Sequence, residues 1–351
     1  MTSHEPIDTM EFQIEQSHDF REVERLYRIV YPGKSTRKFE WLYTDNPSGR
    51  ADIFLARDSK SNMIIAAYVI QPMRVWFRER IILIGQAIDG MVHPEHRRRR
   101  IFNRMQEHLH ATLRSKYEFI IGFPNLMALH PLLNAGAVSF GALCTYSFPL
   151  TSRFFARRLG EGGALQAALT FLLKPAISVY KSLHLGRVDT DGYRLQVVTQ
   201  AHVHPGFTFK SIKAAHPIMA VRDEKFIAWR FFSVPTDQYI FLQFYHADEV
   251  LGYTVIRFEH NAVAIVDFCI DGDVENQVRA LKLLIRYCEQ RSVKSMHFQL
   301  SEACYCVEAL RKAGFVRRKN QYHIILIPYS PESQGIQYSE FFLTFADTDW
   351  V

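Results

Sequence analysis

The feature that most limits how this chain can fold is that its second half repeats the plan of its first. Phe39-Glu40-Trp41 is followed by Pro47, six residues after the tryptophan, and Phe226-Ile227-Ala228-Trp229 is followed by Pro235, again six residues on. The apolar run from Ile64 to Ile70 has a counterpart from Val250 to Ile256, and Asn134-Ala135-Gly136 has one in Lys312-Ala313-Gly314. Matching positions lie roughly 180–190 residues apart, and several matches in one order indicate an internal duplication. The 351 residues then divide into two domains of ordinary size, and the fold of one half predicts that of the other.

Residues 17–31 read as a helix that Asp19 or Ser17 can cap, with Phe20, Val23, Leu26, Tyr27 and Val30 on one face. Strand-like runs follow at Ile53–Ala56, Met63–Ile70, Met73–Phe77 and Ile81–Met91, the last two joined by the polar break Arg78-Glu79-Arg80 that suits a hairpin. A helix is predicted from near Arg98, with Ile101, Met105, Leu109 and Leu113 as its buried stripe. Phe119–Gly122 and Phe140–Phe148 read as short strands. This order predicts a mixed α/β (α+β) fold with a first domain over 11–150, a helical connector over 151–205, a second domain over 206–330 and a tail over 331–351.

Hydrophobic residues at 48% and charged residues at 22% describe an ordinary globular chain. The net charge of +6 suits an anionic ligand or partner without choosing between them. Cys144, Cys269, Cys288, Cys304 and Cys306 match no zinc or redox spacing, and Met1 to Glu11 lacks the apolar core of a signal peptide. A reducing cytoplasm is the expected compartment. The apolar stretch from Ala164 to Leu185 is interrupted by Lys174 and Pro175, which excludes a spanning helix and predicts two helices. Packing over the groove between the copies is the expected role of these helices. Peripheral contact with an anionic membrane surface is the less favoured alternative.

The chemistry concentrates in Ala87-Ile88-Asp89-Gly90-Met91-Val92-His93-Pro94-Glu95-His96-Arg97-Arg98-Arg99-Arg100-Ile101-Phe102: a strand, a proline turn, a basic loop and an amphipathic helix. A strand that feeds a helix N-terminus offers free backbone N–H groups and a positive dipole end, an arrangement that binds phosphates. Four arginines add charge-assisted contacts.

This segment resembles the cofactor segment of the GNAT acetyltransferases, roughly Val-x-Pro-x-x-Arg-Gly-x-Gly-Ile, to which Val92, Pro94, Arg97 and Ile101 correspond in register. Asn125, after Gly122-Phe123-Pro124, stands where an asparagine of that family commonly lies near the cofactor. The resemblance covers about residues 11–150 and, more weakly, 206–330. It implies two tandem GNAT-like domains, each a mostly antiparallel twisted sheet flanked by helices. It further implies an acyl-CoA-dependent N-acyltransferase with acetyl-CoA or another acyl-CoA as co-substrate and no metal. The implied acceptor is a primary amine of a small molecule, with an amino sugar preferred. Met91 and Val92 would face the pantetheine arm, and the backbone of Arg97, Arg98, Arg99, Arg100, Ile101 and Phe102 would hold the pyrophosphate.

The chain departs from that pattern at informative places. Arg98 and Arg100 replace two glycines whose missing Cβ lets the backbone approach phosphates. Leu132, and Leu310 in the second copy, stand where the family often has a tyrosine acid. Asp89 is the first candidate base, with Asn125 as an orienting group; the competing reading is an aspartate that holds a turn. His93 and His96 read as surface histidines without a third ligand, His130 as a weak substitute for the acid, and Trp41 and Trp229 as core. The second copy carries Asp271, Asp273 and Glu275 where the first has its arginines. These acids would repel a pyrophosphate, so no cofactor is expected there. The further basic and aromatic clustering of a nucleic-acid surface is missing. A non-catalytic acyl-CoA-binding or scaffold protein is the alternative function.

Overall fold

The computed structural model describes residues 11–156, 164–186, 192–204, 206–291 and 293–349. Arg157, Arg158, the Gly160-Glu161-Gly162-Gly163 break, Arg187 and the first ten residues lie outside them. The chain divides into two compact units.

Unit 1 comprises, among the described residues, 11–74, 82–139 and 325–335. Its elements are β1 (Phe12–Ser17), α1 (Phe20–Val30), α2 (Lys38–Tyr43), β2 (Asp52–Asp58), β3 (Ile64–Phe77), β4 (Arg80–Val92), α3 (Ile101–Leu113), β5 (Phe119–Gly122) and α4 (Leu126–Asn134). The carboxylate of Asp19 accepts from the Arg21 amide and starts α1, which buries Val23 and Leu26. The two apolar runs Met63–Ile70 and Met73–Phe77 form one strand, β3, despite Pro72 between them. Pairing with β2 ends at Asp52↔Ile70, so the missing N–H of Pro72 falls past the end of that ladder.

Strands β1, β2 and β3 run antiparallel, β4 lies beside β3, and β5 joins β4 in parallel. Helix α3 buries Ile101, Met105, Leu109 and Leu113 in a core with Phe54, Ile65, Tyr68 and Ile120. The 3.6-residue period had marked this stripe. The sheet is completed by Ile325–Pro328, which pair antiparallel with β5.

Unit 2 comprises 75–81, 140–324 and 336–351. It holds most of β6 (Val138–Pro149), then α5 (Arg153–Ala156), α6 (Ala164–Leu172), α7 (Lys174–Leu185), β7 (Tyr193–Val197), α8 (Lys210–Ala215), β8 (Ile218–Ala220) and α9 (Glu224–Ile227). There follow β9 (Tyr239–His246), β10 (Glu249–Glu259), β11 (Ala262–Ile270), α10 (Val274–Glu289), β12 (Ser295–Ser301), α11 (Val307–Lys312), β13 (Val316–Pro328), whose end from Ile325 lies in unit 1 with α12 (Pro331–Gln334), and β14 (Phe341–Phe342). The sheet order is β6-β12-β11-β10-β9-β7, with β11 and β12 parallel and the other pairs antiparallel. Tyr146, Phe148, Phe241, Tyr253, Phe268, Phe298 and Leu284 fill its core.

Chain order and unit membership diverge at two strands. The last strand of the first repeat, β6, pairs with β12 of the second. The end of β13, last strand of the second repeat, pairs with β5 of the first. Each sheet is thus completed by the other repeat's final strand.

Three segments differ from their sequence reading. Within the stretch read as a helical connector, Tyr193–Val197 form a strand paired with β9; its partly exposed, alternating pattern is that of an edge strand. Pro175 does divide the apolar stretch, standing in the first turn of α7 where its lack of an N–H costs nothing. That helix is seated within unit 2: Ile177 and Leu185 are buried, the Tyr180 hydroxyl donates to the Gly314 carbonyl, and Lys181 pairs with Glu289 at 2.5 Å. The segment read as a tail is structured as far as it is described. In it β14 pairs with β8, and buried Asp347 accepts from the Arg222 guanidinium at 2.9 Å.

All five cysteines are buried and unpaired. No helix among the described residues is long and apolar enough to cross a membrane.

Candidate functional site

The site grows out of one strand end. β4 pairs with β5 from Gly85↔Ile120 to Ala87↔Gly122, and β5 then stops while β4 continues through Ile88 to Val92. The backbone of Ile88–Val92 therefore lacks a β5 partner. Gly90 is required within it, because a Cβ there would meet the Tyr68 ring at 2.3 Å. After Val92 the His93 amide donates to the Ile65 carbonyl at 2.8 Å, which ties the turn to β3. A 3-10 turn over Pro94–His96 leads into the arginines and α3.

A cavity of about 400 Å³ opens here. Its lining comes from the end of β4 (Gly90–Val92), the turn, basic loop and start of α3 (His96–Asn103), Asn125 and α4 (Met127, Ala128, Pro131), and Val30 and Tyr31 at the end of α1. Arg98 and Arg100 adopt φ of 66° and 58°. These are the two positions where the resembled GNAT segment has glycine, and here the chain holds left-handed conformations that glycine adopts without strain. Strain of roughly 1–2 kcal/mol per non-glycine residue is retained. All four arginine side chains are exposed, and Arg97 Nε donates back to the Val92 carbonyl at 3.4 Å. No described side chain caps the N-terminus of α3, and its first turn carries no acid. Its leading N–H groups have no intrahelical acceptor, as at any helix start, and lie at the positive end of the helix dipole.

The structure brings together Met91, Val92, Arg97, Arg98, Arg99, Arg100, Ile101, Phe102 and Asn125 of the residues singled out by sequence. Asn125 also caps α4, its side-chain oxygen accepting from the Ala128 amide at 3.0 Å. Asp89 is not among the lining residues; its carboxylate accepts from the Tyr43 hydroxyl at 2.6 Å. Leu132 is buried in the core and His130 is exposed outside the cavity lining. Trp41 is buried, and Trp229 packs on the core of unit 2. His93 and His96 do have a third potential ligand: ligand atoms of His93, Glu95 and His96 lie within 4.8 Å of one another. Sequence spacing missed it because only the tight Pro94–His96 turn folds Glu95 back. Burial first, then Arg99 and His93, lower the pKa of the His96 imidazole, with Asp58 and Glu95 opposing.

Sequence reasoning also missed Tyr31. Burial first, and the Asp89 carboxylate second, raise its phenol pKa, with Arg97 opposing. Nothing in the spacing could have found it: Tyr31 follows α1, about sixty residues before the loop it faces.

The second repeat has the same strand departure with different contents. β11 leaves β12 after Ile265↔Phe298, and the gap is filled by Tyr305, whose hydroxyl accepts from the Ile270 amide at 3.0 Å and lies 3.2 Å from the Ile270 carbonyl. The N-terminus of α10 is capped by Asp273, which accepts from the Asn276 amide, and Glu275 follows in its first turn. Asp271, the counterpart of Asp89, accepts from the amides of Lys210 and Ser211 at the start of α8. The backbone groups that stand open in the first repeat are satisfied by the protein itself in the second.

Comparison with known proteins follows this geometry. Residues 13–130 match the family model of the acetyltransferase (GNAT) domain. A probable N-acyltransferase of Enterococcus faecalis V583 has a similar fold, with a TM-score of 0.67 at 11% identity over 93% of this chain and 74% of that one. A tandem GNAT protein of the clavulanic acid biosynthesis pathway has a TM-score of 0.53 at 12% identity, over 92% of this chain and 99% of its own. N-myristoyltransferase of Saccharomyces cerevisiae, solved with myristoyl-CoA, has a TM-score of 0.57 at 9% identity, over 93% of this chain and 87% of its own. No curated protein matches the sequence.

Proposed function

We propose that this chain is an acyltransferase of the GNAT kind, residues 13–130 matching the GNAT acetyltransferase domain, and that it transfers an acyl group from a CoA thioester to a primary amine of a small molecule. The observation that carries the reading is the cavity of unit 1, where an unpaired strand end, an uncapped helix N-terminus and four exposed arginines converge. Acetyl-CoA is the proposed donor, and an amino sugar the preferred acceptor class. In this reading the pantetheine arm lies along Ile88–Val92 and the pyrophosphate takes the N–H groups at the start of α3, with Arg97–Arg100 supplying positive charge. The reading places no donor in the second repeat, where Tyr305 and Asp273 occupy the equivalent groups among the described residues.

The proposed chemistry is direct. The amine nitrogen attacks the thioester carbonyl, the C–N bond forms, and the C–S bond breaks as CoA leaves as a thiol. Asp89 takes the proton released by the amine, directly or through water. Tyr31, whose phenol pKa burial and then Asp89 raise, returns one to the leaving sulfur in place of the acid missing at Leu132. Asn125 orients the donor.

Calorimetric titration with acetyl-CoA followed by thiol-release assays over amino sugars, polyamines, aminoglycosides and peptide N-termini tests this. One site per chain and release with one acceptor class are expected. Binding without release from any amine favours a non-catalytic acyl-CoA-binding protein, a reading that the apolar, buried Leu132 supports. Failure to bind overturns both.

A further inference from the structure

The turn between β4 and the basic loop carries a group of side chains that the proposed reaction does not use. Among the described residues, His93, Glu95 and His96 are the one set of three His, Cys, Asp or Glu side chains whose ligand atoms all lie within 4.8 Å of one another. The fold of the turn brings them together. Pro94 starts a 3-10 turn over Pro94–His96 with His93 as its N-cap, and residues three apart on such a turn stand over one another. The His93 and His96 rings are accordingly 5.3 Å apart, centre to centre.

The backbone of the turn is tied in place. The His93 amide donates to the Ile65 carbonyl at 2.8 Å, and the His96 amide to the His93 carbonyl at 2.9 Å. His93 is buried, His96 half-buried and Glu95 exposed, so one ligand is fixed and the other two can turn onto an ion. Bonds of about 2.0–2.2 Å to one ion bring tetrahedral donor atoms to roughly 3.4 Å from each other, a closure that side-chain rotation at Glu95 and His96 supplies. His93 Nδ1 accepts from the Glu95 amide at 3.4 Å, a long contact that an ion can displace at little cost. The surrounding charge is mixed: Arg99 and His93 disfavour positive charge at His96, while Asp58 of β2 and Glu95 favour it. Two imidazoles and a carboxylate suit zinc and related ions, whereas magnesium and calcium take oxygen donors.

We propose that His93, Glu95 and His96 bind one divalent transition-metal ion of the zinc class, with water in the remaining coordination position. His96 also lines the cavity of unit 1, so the ion sits beside that cavity and braces the turn that leads β4 into the basic loop.

The test is titration of the untagged full chain with zinc alone, in competition with a chromophoric chelator, and the visible spectrum with cobalt in its place. One ion per chain is expected. Its affinity should fall about tenfold or more in Glu95→Gln and in His96→Gln, since loss of a ligand costs at least what loss of a ligand's supporting partner does. Melting temperatures without metal show that both variants fold, and zinc should raise that of the wild type more than theirs. Absence of zinc binding overturns the proposal. So does binding that either variant leaves intact, or a thiolate-to-cobalt charge-transfer band, which would assign the ion to the cysteines. The readout is independent of acyl transfer, so loss of the proposed activity leaves it standing.

Discussion

Arg98 and Arg100 set backbone strain against ligand charge, and the two can be separated by substitution. Both residues hold left-handed φ, 66° and 58°, which costs roughly 1–2 kcal/mol for a residue with a Cβ. Glycine relieves that strain but restores about 0.5–1 kcal/mol of unfolded-chain entropy. The net gain is about 0.5–1 kcal/mol per site, and the Arg98→Gly/Arg100→Gly protein should be roughly 1–2 kcal/mol more stable, a rise of about 2–6 °C in melting temperature. The same change removes two exposed guanidinium groups from the proposed phosphate site. At about 1 kcal/mol for each solvent-screened contact, affinity for CoA should fall about thirtyfold, and its salt dependence should flatten. The Arg98→Ala/Arg100→Ala protein loses the same charges and keeps the strain, so it should match the glycine variant in affinity without the gain in stability. Scanning calorimetry and isothermal titration over a range of salt give both quantities. Unchanged CoA affinity in the two variants would refute the role given to the guanidiniums. A glycine variant no more stable than the alanine one would refute the strain estimate.

Asp89→Asn should lower turnover while sparing acyl-CoA affinity, and Tyr43→Phe, which removes the donor to Asp89 Oδ2, should lower it by less; if turnover is unmoved in both, Asp89 holds the turn as Asp271 does. Ile325→Ala, at a fully buried position of the exchanged strand, should cost about 2–5 kcal/mol. Residues 11–150 expressed alone should aggregate, because β5 then presents an open edge; a soluble fragment with a cooperative melt would count against the exchange. Burial pushes the His110 imidazole down to about 4 beside the Tyr329 hydroxyl at 2.6 Å. The unfolded chain, with a pKa near 6.5, therefore binds more protons between about pH 4 and 6.5, so stability rises with pH through that window and is lost on acidification, by about 3 kcal/mol at most. Denaturant titrations of wild type and His110→Gln at pH 7 and pH 5 should show the smaller drop in the variant, and equal drops would exclude His110 as the cause.

Much of the proposed donor site was legible in the sequence because binding a phosphate at a helix start is a local task. Strand, turn, basic loop and helix are consecutive from Ala87 to Phe102, and the Val-x-Pro-x-x-Arg register and the four-residue stripe of α3 need nothing from elsewhere in the chain. The duplication was legible for the same reason, since each match is a short contiguous run. Even the two arginines at glycine positions pointed to a question that the backbone then answered with positive φ.

What the linear order could not contain is what different elements bring to one place. Tyr31 reaches the cavity from the end of α1, Tyr43 reaches Asp89 from α2, and Tyr305 fills the gap beside β11 from the loop before α11. The exchange of β6 and β13 was equally invisible. An apolar strand of that length fits the open edge of either repeat, and the choice rests on long-range pairing, Ser295↔Pro149 on one side and Ile325↔Gly122 on the other. The repeated motifs alone indicated two related halves and marked the loop where we propose an anion binds. The tertiary structure decided which strand completes which sheet and which of the two openings stays open, because backbone pairing and side-chain filling are contests between distant segments that carry no local sequence mark.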